Sequence, residues 1–404
     1  MQCATRPFCK GKQIIRSTNK NLMENKIYLD IHRLIALMKK YLLLILLSAC
    51  HSLQAQVVGG QRAFEFLRLS PSPHISALGG ISIISPTKDV MMSMANPALL
   101  RPEFHTHLGL NYNSYYADTK VMNLFYAHHA PSINTTFGFG IHYLKYGTFT
   151  LTDALGNING DGHAVDYAIQ FNASKSYLEK WRFGTALKLA NSQLLTKKSS
   201  AILFDFGLTY ADTNSQWYFG AAIKNAGIAL KKYDPNESPP MPLDLQIGIT
   251  KKFKKAPFSF MMLGHHLYQW DVRYDNPADQ VSNQLLFSDT TSSTKTKKYF
   301  ADKFFRHIVF ALDVNLGKRL EFSVGYNHLR RSELAISERK GMSGFSLGGG
   351  LYANKFTIHY AQSYYHIAGP YHEVGINFRM HDIIGFGKGG NKINWAEKYA
   401  SSYN

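Results

Sequence analysis

Residues 371–380 read YHEVGINFRM. Taken at a period of two, Val374, Ile376 and Phe378 form one set, and Gly375, Asn377 and Arg379 form the other. An apolar face opposite a small or polar face, on a strand of this length, is the pattern of a tilted strand crossing a bilayer with lipid on one side and a polar lumen on the other. The pattern recurs upstream. Phe137, Phe139, Ile141 and Tyr143 alternate with Gly138, Gly140 and His142. Ile202, Phe204, Phe206 and Leu208 alternate with Leu203, Asp205 and Gly207. Leu320, Phe322, Val324 and Tyr326 alternate with Glu321, Ser323 and Gly325. Counting such runs from residue 104 to 380 predicts about fourteen strands, an even number that suits a single-chain barrel.

Connection lengths supply a second test. With both termini in the periplasm, the links after even strands are short, as at Pro131–Asn134 or Lys318. The long insertions fall after odd strands: 147–162, 225–240, 269–303 and 332–341. Barrels of the outer membrane sort their turns and loops in this way. The fold class expected is therefore all-β, a transmembrane antiparallel outer-membrane β-barrel over residues 104–380.

The 404-residue chain is basic, at formal net charge +18. Part of that excess lies before residue 41; the remainder suits anionic lipid or lipopolysaccharide as well as ordinary loop solubility. Residues 1–37 fit no export signal and read as a spurious or disordered extension. From Met38, Lys39-Lys40 and the apolar run Tyr41–Leu47 lead to Leu53-Gln54-Ala55, so 38–55 reads as a signal peptide cleaved before Gln56. Leu47-Ser48-Ala49-Cys50 also fits a lipoprotein box, which leaves lipidation of Cys50 as the alternative. All three cysteines precede Gln56, so cleavage there excludes disulfides and thiolate metal sites from the mature protein.

Residues 56–103 do not alternate. Ser70-Pro71-Ser72-Pro73 breaks a strand, Gly79-Gly80 permits a tight turn, and 89–94 forms a short helix that ends before Asn96-Pro97. The segment is too small to fold alone, and the lumen is the place for it. Its ordered motif, Ala77-Leu78-Gly79-Gly80, then Asp89, then Asn96-Pro97-Ala98, resembles the N-terminal hatch of FadL-like outer-membrane barrels. The opening Gly59–Pro73 resembles a narrower group, the PorQ barrels of the Bacteroidota type IX secretion system, as do Tyr146–Thr150, Pro242–Gly248, Ala256-Pro257-Phe258 and His265-His266-Leu267. The resemblance spans about residues 57–385; the first 37 residues and a periplasmic tail at 381–404 depart from it.

That resemblance implies an outer-membrane platform in the complex that attaches secreted proteins to the cell surface, with PorZ-like, PorU and PorV proteins as partners. The alternative is a FadL-like transporter of hydrophobic small molecules. A soluble secreted β-protein and a surface adhesin complete the set. No enzyme is expected, since nucleophile-elbow, HExxH and phosphate-loop motifs do not occur, and no nucleic-acid module is seen. No cofactor or metal is expected either. Gly156–Gly162 lacks the acidic spacing of a calcium loop and reads as a surface loop. His128-His129 and His265-His266 are adjacent, and in a strand such neighbours face opposite ways. Tyr364-Tyr365-His366 and Tyr371-His372 read as an aromatic girdle or a docking surface.

Overall fold

The computed structural model describes residues 62–236, 239–272, 300–333, 341–366 and 369–384. The extension, the signal peptide with Cys50, Gly59-Gly60-Gln61, residues 273–299 of the longest loop and the tail from 385 lie outside the described residues. The strands are β1 (His107–Ser114), β2 (Lys120–Ala130), β3 (Thr135–Thr152), β4 (Ile158–Tyr177), β5 (Trp181–Leu194), β6 (Lys197–Asp212) and β7 (Trp217–Lys231). They continue with β8 (Asp244–Lys252), β9 (Phe258–Gly264), β10 (Ile308–Leu316), β11 (Leu320–Asn327), β12 (Phe345–Tyr352), β13 (Phe356–His366) and β14 (Gly369–Arg379). Every strand pairs with its sequence neighbours, and β1 pairs antiparallel with β14 through His107↔Arg379 and Leu110↔Ile376, closing a fourteen-stranded barrel.

Closure removes the free edges that an open sheet would expose to lipid, where an unpaired backbone group has no water to bond. The register fixes which face is which. On β14, Glu373, Gly375 and Asn377 are buried inside, while Val374 stands exposed outside. On β11, Phe322 and Val324 are exposed while Glu321 and Ser323 are buried. Among the described residues no helix is long and apolar enough to cross a membrane. The strands make the crossing, with Phe137, Phe171, Phe183 and Phe206 among the side chains on the lipid side. This is an outer-membrane β-barrel.

All six links at the end carrying β1's start and β14's finish are short, while the long connections 265–307 and 328–344 lie at the other end, the asymmetry of outer-membrane barrels whose short-turn end faces the periplasm. At the other end the structure corrects two expected loops. Residues 147–162 are mostly strand, because β3 runs to Thr152 and β4 begins at Ile158, and β7 likewise continues to Lys231. The Asp153 carboxylate accepts from the amides of Leu155 (2.9 Å) and Asn157 (2.8 Å), closing the hairpin as an Asx turn. A tilted strand crosses the apolar band in about 9–11 residues. With 18 and 20 residues, β3 and β4 therefore carry close to half their length beyond it. One side of the barrel thus rises as a crest on the cell-surface side.

Three short helices complete the wall side: α2 (Phe300–Arg306), α3 (His328–Glu333) and α4 (Met380–Ile384). The segment from Arg62 to Thr106, with helix α1 (Pro73–Ala77), is buried against the inward face of the wall. Its apolar side chains meet the wall's. Val90, Met91, Met94, Leu100 and Phe104 pack with Phe125 and Ala127, and Ile83 packs with Ala222, Leu263 and Val309.

Candidate functional site: the interface between the inner segment and the wall

Local sequence sets the inner segment's shape. Ser72 caps α1 by accepting from the His74 amide, and Pro73 takes the first helical position, where its missing N–H costs nothing. Gly79 and Gly80, at φ +90° and +79°, end the helix, and the Gly80 amide donates to the Ile75 carbonyl at 2.9 Å. Asp89 caps a 3-10 turn at Val90–Met94 through the Met91 amide (2.9 Å), and Asn96 caps another at Pro97–Leu99 through the Ala98 amide (3.0 Å). The proline that breaks a strand here starts a helix.

The wall receives these turns at glycines. A Cβ at Gly184 would stand 2.3 Å from the Ala98 nitrogen, and one at Gly207 would stand 1.9 Å from Asn96 Oδ1. One at Gly325 would lie 2.2 Å from the Gly79 nitrogen. Small inward residues are therefore what lets the inner backbone lie directly on the strands.

Polar groups then join the two layers. Asp89 accepts from Asn377 Nδ2 on β14 (2.9 Å) and from Ser72 Oγ. Asn96 Nδ2 donates to the Ile83 carbonyl at 2.9 Å, bracing the segment across its own fold. Arg330 on α3 donates to the Gly79 carbonyl at 2.9 Å, with its guanidinium 3.6 Å from the Tyr365 ring centroid. The structure thus brings Gly79, Gly80, Asp89, Asn96, Pro97 and Ala98 to one interface, though not to one point. Replacing Asp89 with alanine would leave the Asn377 amide and the Met91 N–H without this partner. The expected cost is about 1–3 kcal/mol, read as a lower denaturant midpoint for the refolded protein in micelles. An unchanged midpoint would mean that water takes over those bonds.

Several residues at this interface escaped the sequence reading. Glu373, fully buried, accepts from Asn111 Nδ2 (2.6 Å) and from Ser76 Oγ of α1. Lys188, Asp205 and Asn225 form a buried network on β5, β6 and β7. His74, Glu321 and His359 cluster near the periplasmic end, with His74 Nδ1 2.9 Å from Glu321 Oε1. Burial alone would push His74 down, but the Glu321 carboxylate, aided by Asp313 and Asp89, outweighs it and lifts His74 to about 9. The signal available in sequence was a charged residue at an inward position of a strand.

Two readings are corrected at the cell-surface end. His265 and His266 do not face opposite ways. β9 ends at Gly264, His266 has φ +55°, and both rings are buried with their Nδ1 atoms in contact. Arg68 meets His266 from the inner segment, and Asp244 accepts from the His266 amide at 2.7 Å. Burial holds both imidazoles well below their ordinary range. His128 and His129 do split, one exposed and one buried. Tyr365 and Tyr371 are not girdle residues, because they point inward and pack edge to face at 4.7 Å beside Tyr115. Tyr360 and His372 stay outside, stacked on each other.

A further feature lies on the outer wall. Phe183, Thr185, Phe206, Leu208, Ala221 and Ile223 line an apolar depression of about 630 Å3 over β5–β7. Gly184 and Gly207 form its floor, with Pro97-Ala98 directly behind.

No family model matches this chain, and no curated protein matches it. Solved barrels do resemble it. The toluene transporter TodX of Pseudomonas putida shares 14% identity over 77% of this chain and 97% of its own, with a TM-score of 0.44. The CymD monoaromatic hydrocarbon channel shares 14% over 78% and 97%, at 0.45. A FadL homologue of Pseudomonas aeruginosa shares 9% over 77% and 99%, at 0.43.

Proposed function

We propose that this protein is a plugged outer-membrane platform of the type IX secretion attachment complex, in which the inner segment acts as a hatch and the crest supplies a docking surface. The crest carries the proposal. At the tip of the β3–β4 crest Leu155 is 88% exposed and Ile158 73%, and near the end of β7 Ile228 is 66% exposed and Leu230 62%. Large apolar side chains left exposed at a cell-surface rim are a signature of protein contact. The sequence resemblance to PorQ barrels supports the choice of partner, a PorZ-like surface protein with PorU and PorV beyond it. Polar bonds between the inner segment and the wall suit a fixed scaffold better than an apolar conduit.

The second reading, transport of hydrophobic small molecules, is favoured by the apolar depression. Its volume of about 630 Å3 suits a small hydrocarbon, and it borders the docking site of Pro97-Ala98.

A gentle-detergent pull-down from native outer membranes, with mass spectrometry of proteins and lipids, separates the two. The platform predicts recovery of a secretion-complex partner, reduced at least about tenfold when Leu155, Ile158, Ile228 and Leu230 become serine, because each apolar side chain buried at the contact contributes about 1.5–3 kcal/mol and about 1.4 kcal/mol is tenfold in affinity. The variant should keep the folded-barrel band on unheated gels. Recovery of bound hydrocarbon or fatty acid, with no protein partner and no effect of the crest variant, would overturn the platform and support the transporter.

A further inference from the structure

His74, Glu321 and His359 approach one another from three separate elements: α1 inside the barrel, β11 and β13. One donor atom of each lies within 4.8 Å of the others. All three residues are buried, at 2%, 6% and 2% exposure. Two imidazoles and one carboxylate are a ligand set that borderline divalent ions accept, Zn2+ foremost, with a fourth position left for water.

An ion pair between His74 and Glu321 would explain those two residues but not His359. Neither His359 ring nitrogen has a hydrogen-bond partner. An imidazole enclosed without a partner is costly, and native proteins rarely tolerate it without a ligand or another role. Its ring lies 5.6 Å from that of His74, close enough for the two to share an ion after small rotations.

The surroundings match what ligands need behind them. A ligating histidine usually bonds its other nitrogen to an oriented oxygen, and a ligating carboxylate is itself held by a donor. Ser85 Oγ stands 3.5 Å from His74 Nε2, and the Tyr352 hydroxyl donates to Glu321 Oε2 at 3.1 Å. Tyr352 is fixed in turn by Thr87 of the inner segment at 3.2 Å.

We infer that His74, Glu321 and His359 bind a Zn2+-type divalent transition-metal ion, which clips the inner segment to the wall. This assignment is independent of whether the barrel is a platform or a transporter. It also departs from the sequence reading, which expected no metal, because the three ligands are far apart in the chain and show no motif spacing.

The test uses the full barrel in detergent, purified with a histidine-free tag, stripped with a chelator and titrated with Zn2+ by calorimetry. Binding of one ion per chain is expected, with a rise in unfolding temperature that chelator reverses. The stripped protein should also give the visible bands of tetrahedral Co2+. His359→Ala should weaken binding by about 100-fold or more, beyond the 10–100-fold typical of outer partners. His359→Gln, which keeps the ring's approximate volume, should also lose the Co2+ bands and thereby guards against a simple packing defect. His129→Ala, at another site in the barrel, should bind as wild type does. Absence of stoichiometric binding, or equal binding by the His359 variants, would overturn the assignment.

Discussion

Replacing Asp205 with alanine is expected to destabilise the barrel by about 3–5 kcal/mol, the penalty for leaving a buried charge without its partner. Asp205 is fully buried on β6, and its Oδ2 lies 2.5 Å from Lys188 Nζ on β5, whose side chain is itself 5% exposed. The carboxylate has a second duty. The β6–β7 ladder shifts register between Phe204 and Phe206, and opposite the shift Asn225 adopts φ +57°. Asp205 Oδ1 accepts the Asn225 amide at 2.7 Å, a backbone donor that the irregular ladder leaves unpaired. Asn225 Oδ1 then accepts from Lys188 Nζ at 2.9 Å, closing the triangle. Alanine therefore strands an ammonium and an N–H together. Denaturant unfolding in micelles should show a lower midpoint with little change in slope. Lys188→Met with Asp205→Leu should recover part of the loss, since removing both charges is far less harmful than removing one. A shift below about 1 kcal/mol for the single variant would mean that water reaches the lysine, because exposed pairs are worth no more than that.

The same network shows where the sequence is legible and where it is not. Strand existence, the face of each strand and the closure of β14 on β1 follow from a local signal, the period of two in 371–380 and its repeats. Turn chemistry is also local, and Ser72-Pro73 and Gly79-Gly80 mark α1 at both ends, although a proline taken only as a strand breaker does not announce the helix it starts. The glycines of 156–162 read as a loop because composition outweighed the strand propensity of Phe149, Thr150 and Thr152 beside them. His265-His266 misled for a related reason: the opposite-face rule holds only inside a strand, and β9 stops one residue earlier. The interior is different in kind. Ser76 meets Glu373 across 297 residues, and Asn377 meets Asp89 across 288. No periodicity encodes a register between an irregular segment and a wall, so inward Glu321, Asp205 and His359 were visible as polar positions but not as partners.

The other large effect concerns how the inner segment is seated. Gly184→Val should displace Asn96–Ala98 and open a path through the lumen. The added Cβ would sit 2.3 Å from both the Ala98 nitrogen and the Pro97 carbonyl carbon, and neither is the free end of a side chain that can swing away. The wall cannot yield easily, because Gly184 lies on a ladder paired on both sides, with Ser174 and with Gly207. The loosest partner is the inner segment, so the strain of about 1–3 kcal/mol or more typical of overpacking falls on its seating. In planar bilayers the variant should conduct where wild type is closed, and cells carrying it should admit large antibiotics that the wild type excludes. Gly264→Ala, whose nearest neighbour would be a comfortable 3.4 Å away, should do neither. A double-mutant cycle separates unseating from general damage. Gly207→Ala drives its Cβ to 1.9 Å from Asn96 Oδ1, so Asn96→Ala should relieve much of that clash even though it removes a cap. The paired loss should then fall short of the sum of the single losses, by the 0.5–3 kcal/mol range seen for residues in contact. Strict additivity would place the damage elsewhere and show that the inner segment does not rest on Gly207 in the membrane.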